Sequence, residues 1–185
     1  GDVYKRQLES TVIFWFSDHG GPLPRQKRLL YDAGLQVPMI IRYPDKWRAG
    51  ELDDRLISFV DFKSTTLSLA GIEPPEYVDG RAFAGKFQSS ESRQYIHAAA
   101  DRFDRQYDTI RAVRDERFKY LRNYYPERGY YLPLTYREQM PIMQELLRLK
   151  EQNALTEAQS QWFRESKPSE ELFDTLSDPH ELTNL

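Results

Sequence analysis

Apolar positions in this chain fall in short runs broken by turn residues, and their period changes partway along. The first run, residues 12–16 (VIFWF), is β-branched and aromatic and stops at Ser17-Asp18-His19-Gly20-Gly21. So short a run, bounded by glycines, predicts a buried strand rather than a helix. Pro22 and Pro24 prevent helix in the basic loop that follows. Residues 37–43 (VPMIIRY) predict the next strand, with Pro38 at its start, where no ladder donor is needed. Residues 56–58 predict a short strand leading into a helix. Ser58 or Asp61 could cap that helix, and Phe62, Thr65, Thr66 and Leu69 follow at helical spacing until Gly71 ends it ahead of Pro74-Pro75.

Residues 72–93 are loop-rich, with Asp79-Gly80 as a turn. A period of two then takes over. Residues 95–98, 109–113 and 118–121 predict strands, the last two joined by a turn at 114–117, which makes an antiparallel meander after an α/β region. Residues 122–136 are rich in Tyr, Pro and Gly and predict an irregular surface loop. Helices are predicted at 137–153 and at 156–164, the second with Thr156 as N-cap. Residues 171–174 predict a last strand, and 177–182 a capped turn into a C-terminal helix. The pattern therefore predicts the α/β class: an α/β region followed by a C-terminal subdomain, the antiparallel meander with helices. The expected divisions are 1–7, a non-native scar; 8–93, the α/β part; and 94–185, the subdomain, truncated.

Composition narrows the partners. The net charge of -3 gives no electrostatic case for nucleic acid or an anionic membrane surface. No stretch approaches the ~20 apolar residues of a membrane span, so no membrane insertion is expected. The 185 residues contain no cysteine, which excludes disulfides, thiolate metal sites and a cysteine nucleophile within them.

Asp18 and His19 sit at the carboxyl end of a predicted strand, where open α/β sheets place their ligands. A carboxylate oxygen beside an imidazole nitrogen suits a divalent cation, with at least two further ligands required. The same pair could simply bond turn backbone. Lys27 and Arg28 form either a solvated basic turn or a pair of cations aimed at an anionic substrate group. His97, with Asp101, Arg102 and Asp104 after it, is either a half-buried strand residue next to a surface loop or part of a cleft that reads sugar hydroxyls or a second acidic group. The tyrosines at 124, 125, 130, 131 and 136 could cover a core edge or stack on a sugar. His180 is expected to be structural.

Several blocks, in order and spacing, resemble a known family. They are Ser17-Asp18-His19-Gly20, residues 27–34 (KRLLYDAG), 37–44 (VPMIIRYP), 58–62 (SFVDF), Thr65-Thr66-Leu67, 69–72 (LAGI) and Asp79-Gly80-Arg81. Together they resemble the C-terminal part of the catalytic domain of a type I, formylglycine-dependent sulfatase of the alkaline-phosphatase superfamily. Residues 110–114, Lys119-Tyr120, 171–174 and Asp178-Pro179 are similar to the smaller C-terminal subdomain of bacterial sulfatases. The resemblance implies the end of a large mixed sheet flanked by helices, followed by a small antiparallel C-terminal subdomain with helices.

The resemblance implies that Asp18 and His19 ligate one calcium ion, His19 standing where many members have Asn. It implies Lys27 as the catalytic, sulfate-contacting lysine. It leaves Arg28 unassigned, so Arg28, His97 and Arg102 remain substrate-binding candidates on charge and position. The family's nucleophile is a formylglycine made from Cys or Ser in a Cys/Ser-x-Pro/Ala-x-Arg motif, and these residues lack that motif.

The chain is thus expected to be the C-terminal portion of an enzyme that hydrolyses sulfate esters or sulfamates of a small molecule or glycan. That enzyme is expected to be periplasmic or secreted, and the portion inactive alone. Two alternatives stand beside this reading. One is a phosphodiesterase or phosphonate monoester hydrolase of the same superfamily, and the other a non-enzymatic, sulfatase-like glycan-binding protein. A portion of a larger domain would also expose apolar strand edges where the remainder packs.

Overall fold

The computed structural model describes residues 7–185, so the expected scar at 1–7 lies outside the described residues except for Gln7. Two antiparallel sheets carry the fold. In the first, β1 (Ile13–Phe16) pairs with β2 (Met39–Arg42), with Phe14 opposite Ile41 and Trp15 opposite Ile40. The second runs β3 (Ile96–Phe103), β4 (Gln106–Arg114), β5 (Phe118–Asn123), β6 (Glu170–Asp174), each strand antiparallel to the next. The short helix α1 (Asp32–Leu35) precedes β2, and α2 (Asp61–Leu69) follows it. Between β5 and β6 lie α3 (Thr135–Glu138), α4 (Pro141–Glu151) and α5 (Glu157–Gln161). The α/β class holds, with antiparallel sheets and few helices. Where the end of a large mixed sheet is expected, the described residues form two antiparallel strands. No helix among the described residues is long and apolar enough to cross a membrane.

One face of the first sheet is closed by α2. Phe14 and Phe16 meet Phe62 with ring centroids 6.0 and 4.9 Å apart, and Phe83 joins them. The other face is open, with Trp15 62% and Ile40 60% exposed. The expected buried strand is therefore only partly covered, and on one side only, with Phe16 still 40% exposed, because the pleat sends alternate side chains away from α2. The helix itself is tied down through polar contacts. The buried Asp61 carboxylate accepts from Ser58 N (2.8 Å), Arg81 N (2.9 Å) and the Arg93 guanidinium. Gly71, at φ +74°, ends the helix as expected.

Four other expectations change. Residues 56–58 form no ladder; Leu56 and Ile57 instead line a cavity of about 120 Å³ against β3, β4 and β5. The helix expected at 137–153 breaks at Pro141, which starts α4 because it lacks the N–H a helix interior requires. β3 runs on to Phe103, so Asp101 and Arg102 lie in a strand rather than a loop. The capped turn at 177–182 forms, but no helix follows it among the described residues. Leu182 N and Thr183 N donate to the Asp178 carboxylate (2.7 and 2.8 Å), and the tail then pairs with β6, Leu185 N to Leu172 O at 3.0 Å. The unpaired edge of β6 outcompetes a helix turn that has nothing to bury. The helix expected at 156–164 forms its first part as α5, with the Thr156–Gln159 capping box.

The second sheet's inner face carries Ala98, Ala112 and Leu121 in register, with Phe103, Ile110 and Phe173 beside them. Leu29, Leu30 and Tyr31, from the loop before α1, are buried in this same core. Each contributes about 1.5–3 kcal/mol on burial. Charges are buried here too. Lys119 Nζ, 1% exposed, lies 2.7 Å from Asp32 Oδ1 and 3.1 Å from Glu181 Oε1, while Arg114 Nε reaches Asp32 Oδ2 at 3.0 Å. Burial pushes the Glu181 carboxyl up against the pull of Lys119. Elsewhere the buried pair Lys167–Asp108 (2.7 Å) fastens the segment that leads into β6 to β4.

Replacing one member of a buried ion network strands its partners. Lys119→Met is expected to lose about 3–5 kcal/mol of unfolding free energy, measured by urea titration. A second expectation concerns acid. Donation from Arg117, with desolvation opposing it, holds the Asp174 carboxyl at about 2. A depressed folded-state value means the contribution is complete above the ordinary carboxylate range of about 4 and disappears as pH falls toward 2. The urea midpoint should therefore fall less steeply with acid across that window in Asp174→Asn than in the parent protein.

Candidate functional site

β1 ends at Phe16, and the chain turns at once through Ser17, Asp18 and His19. The turn is fixed by Ser17 Oγ, which donates to His19 O at 2.6 Å. Gly20 then comes against the backbone of Ala33 and Gly34, with Gly20 N donating to Gly34 O at 2.9 Å. A Cβ on Gly20 would lie 1.9 Å from Ala33 O, so no other residue fits. The close approach that the glycines permit is thus to the chain's own backbone. It closes the loop of residues 20–34 and returns α1 to the end of β1.

Asp18 points outward, its side chain 84% exposed, with Oδ1 3.6 Å from His19 Nε2. One cation bound at ~2.3–2.6 Å can span donors at that spacing. His19 Nδ1 lies 2.6 Å from Gly20 O. A proton on Nδ1 would be held there, leaving the Nε2 lone pair on the side of Asp18, the arrangement a metal-binding imidazole needs. No group of three or more His, Cys, Asp or Glu side chains that could hold a metal occurs among the described residues. Asp18 and His19 can therefore supply part of a coordination shell but not all of it.

Lys27 N donates to Gly21 O at 3.1 Å, which sets the Lys27 backbone against the turn that follows His19. Its ammonium makes no ion pair among the described residues. Arg28, by contrast, is paired. With φ at +77°, its Nη1 reaches Asp104 Oδ1 at 2.9 Å and its guanidinium lies 5.2 Å from the Tyr136 ring centroid. Asp104 sits in the β3–β4 turn, where its carbonyl also accepts from Arg102 Nε. The structure thus joins Arg28 and Arg102 through Asp104. It does not bring His97 to them. His97 lies opposite Val113 at the other end of β3, on the exposed outer face, whereas Arg102 lies opposite Tyr107. Of the tyrosines, Tyr130 and Tyr131 are turned inward onto Glu171 and Glu138, and desolvation, reinforced by those carboxylates, raises both phenols well above their ordinary value.

Sequence reasoning missed the residues that hold this loop in place: Arg25, Asp32, Lys119 and Glu181. A signal for Lys119 was present. With Leu121 pointing inward, a strand places 119 on the same face.

The chain is 64% identical over 178 residues to an ulvan-active sulfatase from Formosa agariphila, covering 96% of this chain and 30% of that protein. It thus spans about a third of that relative's length. A solved 2-O GAG sulfatase shares the fold at TM-score 0.61 and 20% identity, over 94% of this chain and 31% of that one. So does a protein solved in complex with its substrate D-glucosamine-2-N,6-O-disulfate, at TM-score 0.61 and 21% identity, over 98% of this chain and 31% of that one. Residues 25–165 match the family described as N-sulphoglucosamine sulphohydrolase, C-terminal, and the chain belongs to that sulfatase family.

Proposed function

We propose that this chain is the C-terminal part of a sulfatase that hydrolyses sulfate esters of a carbohydrate. The observation that carries the reading is the 64% identity to an ulvan-active sulfatase across 96% of the chain. A sulfated polysaccharide of that kind is the first substrate to try. The open face of the first sheet, with Trp15 opposite Ile40, suits packing by the rest of a larger catalytic domain.

In this reading Asp18 and His19 are two ligands of a calcium ion whose remaining ligands lie elsewhere in the longer protein. The donor set fits, since a carboxylate and an imidazole with a free lone pair face each other at 3.6 Å. Bound there, the ion would draw charge from the sulfate oxygens. Lys27, whose ammonium no carboxylate neutralises among the described residues, holds a sulfate oxygen and stabilises the charge that shifts toward the leaving oxygen. Arg28 is already paired with Asp104, so its role is to hold the loop beside Lys27. Arg102 acts through the same Asp104 turn, and His97 lies at the other end of β3 from Arg102. The nucleophile, a formylglycine by family, belongs to the part of the longer protein outside these residues, and the enzyme works in the periplasm or outside the cell.

Sulfate release from ulvan-type and other sulfated saccharides by the longer enzyme tests the reading. Lys27→Ala should lower kcat/KM on the order of 100-fold, as loss of one charge-stabilising donor does. Unchanged release would remove Lys27 from the site. The 185-residue chain alone, supplied with calcium and an aryl sulfate, should show no turnover. Turnover there would overturn the division of the active site argued above.

A further inference from the structure

The loop that bears Lys27 and Arg28 is gripped at both ends by one short stretch near residue 181. At its start, Arg25 donates from Nη1 to His180 O and from Nη2 to Glu181 O, both at 2.5 Å. The same guanidinium lies 3.9 Å from the centroid of the Tyr31 ring, further along the loop. At its end, Asp32 N donates to Glu181 Oε2 at 2.6 Å. Glu181 therefore fixes residue 25 through its carbonyl and residue 32 through its carboxylate. Its other carboxylate oxygen faces Lys119, which also holds the Asp32 side chain.

The backbone is strained where this grip closes. Arg25, Arg28 and Glu181 have φ of +60°, +77° and +52°, in the left-handed region that favours glycine. Such conformations persist in other residues only where surrounding contacts over-determine them, and they concentrate at functional segments. Lys27 sits in the middle of the gripped loop, between two of the strained residues. A lysine is a point charge on a flexible stem, so its placement depends on where the backbone starts it. An error of about 1 Å at a reacting group can cost about a hundredfold in rate.

We propose that Arg25 and Glu181 form a clasp that sets the position of Lys27 against the sulfate group. They are positioning residues, acting through the loop rather than on the substrate, and the proposal rests on the functional reading above. The paired donation from Arg25 is the specific part. A lysine at 25 can keep the charge over Tyr31 but cannot reach two carbonyls in fork geometry.

The test is a double-mutant cycle in the longer enzyme, read as kcat/KM for sulfate release, with thermal unfolding followed in parallel. Arg25→Ala should lower kcat/KM about tenfold or more. Arg25→Lys should recover little of that loss. In a Lys27→Ala background, Arg25→Ala should cost less than about twofold, because nothing is left for the clasp to position. A merely structural Arg25 would cost the same in both backgrounds, and that additive result would overturn the clasp. So would full activity in Arg25→Ala. Should Arg25→Ala fail to fold, Arg25→Lys in the two backgrounds carries the same comparison, with the same two outcomes. A parent enzyme that releases no sulfate from any ester would overturn the functional reading and the clasp together, whereas an active parent with additive losses overturns the clasp alone.

Discussion

The ammonium of Lys119 is the charge on which the rest of this structure depends. It is 1% exposed, in the inner face of a sheet otherwise lined by Ala112, Leu121 and Phe173. Taking such a charge out of water costs several kcal/mol unless it is paired and hydrogen-bonded. Its partners come from two distant places in the chain. Asp32 opens α1, next to the Lys27 loop, and Glu181 belongs to the tail that runs along β6. Arg114 completes the balance at Asp32. The desolvation of one lysine thus forces three segments to meet at one point. Apolar contacts then fill in around it, with Leu29, Leu30 and Tyr31 entering the second core directly before Asp32.

This meeting point explains why a small antiparallel sheet matters to chemistry carried at the end of β1. Asp18, His19 and Lys27 sit on a turn and a loop, the least constrained parts of the chain. The loop is closed on one side by the Gly20–Gly34 contact and anchored on the other to the second sheet through residues 29–32. Arg28 adds a tie to the β3–β4 turn through Asp104. The proposed site is therefore built on the first sheet and braced by the second. Substitutions at 32, 114, 119 or 181, well away from any substrate, act on it through that brace.

Much of the fold is legible in the sequence where local patterning decides. Residues 12–16 and 118–121 alternate or run in ways that only strands satisfy, Gly71 ends its helix, and Thr156 caps one. Legibility fails where a distant partner decides. Nothing local tells that the residues after the capped turn at 177–182 forgo a helix, because the alternative is the open edge of β6. Nothing near Leu56 tells that it and Ile57 line a cavity and that residues 56–58 join no ladder. Pro141 is the exception, a local signal for a broken helix that stands in plain view. The site divides in the same way. Asp18, His19 and Lys27 stand out through spacing and resemblance, whereas Arg25 and Glu181 look like ordinary surface charges until the fold puts them in contact. His97 and Arg102 are five positions apart on one strand but lie at its opposite ends.

A crystal structure of the longer enzyme with calcium and a sulfated saccharide bound tests the central claim most directly. The account predicts Asp18 and His19 on the ion, the Lys27 ammonium against a sulfate oxygen, and Arg25 still seated on the carbonyls of residues 180 and 181. A sulfate group held away from Lys27, or an ion bound without Asp18, would contradict it.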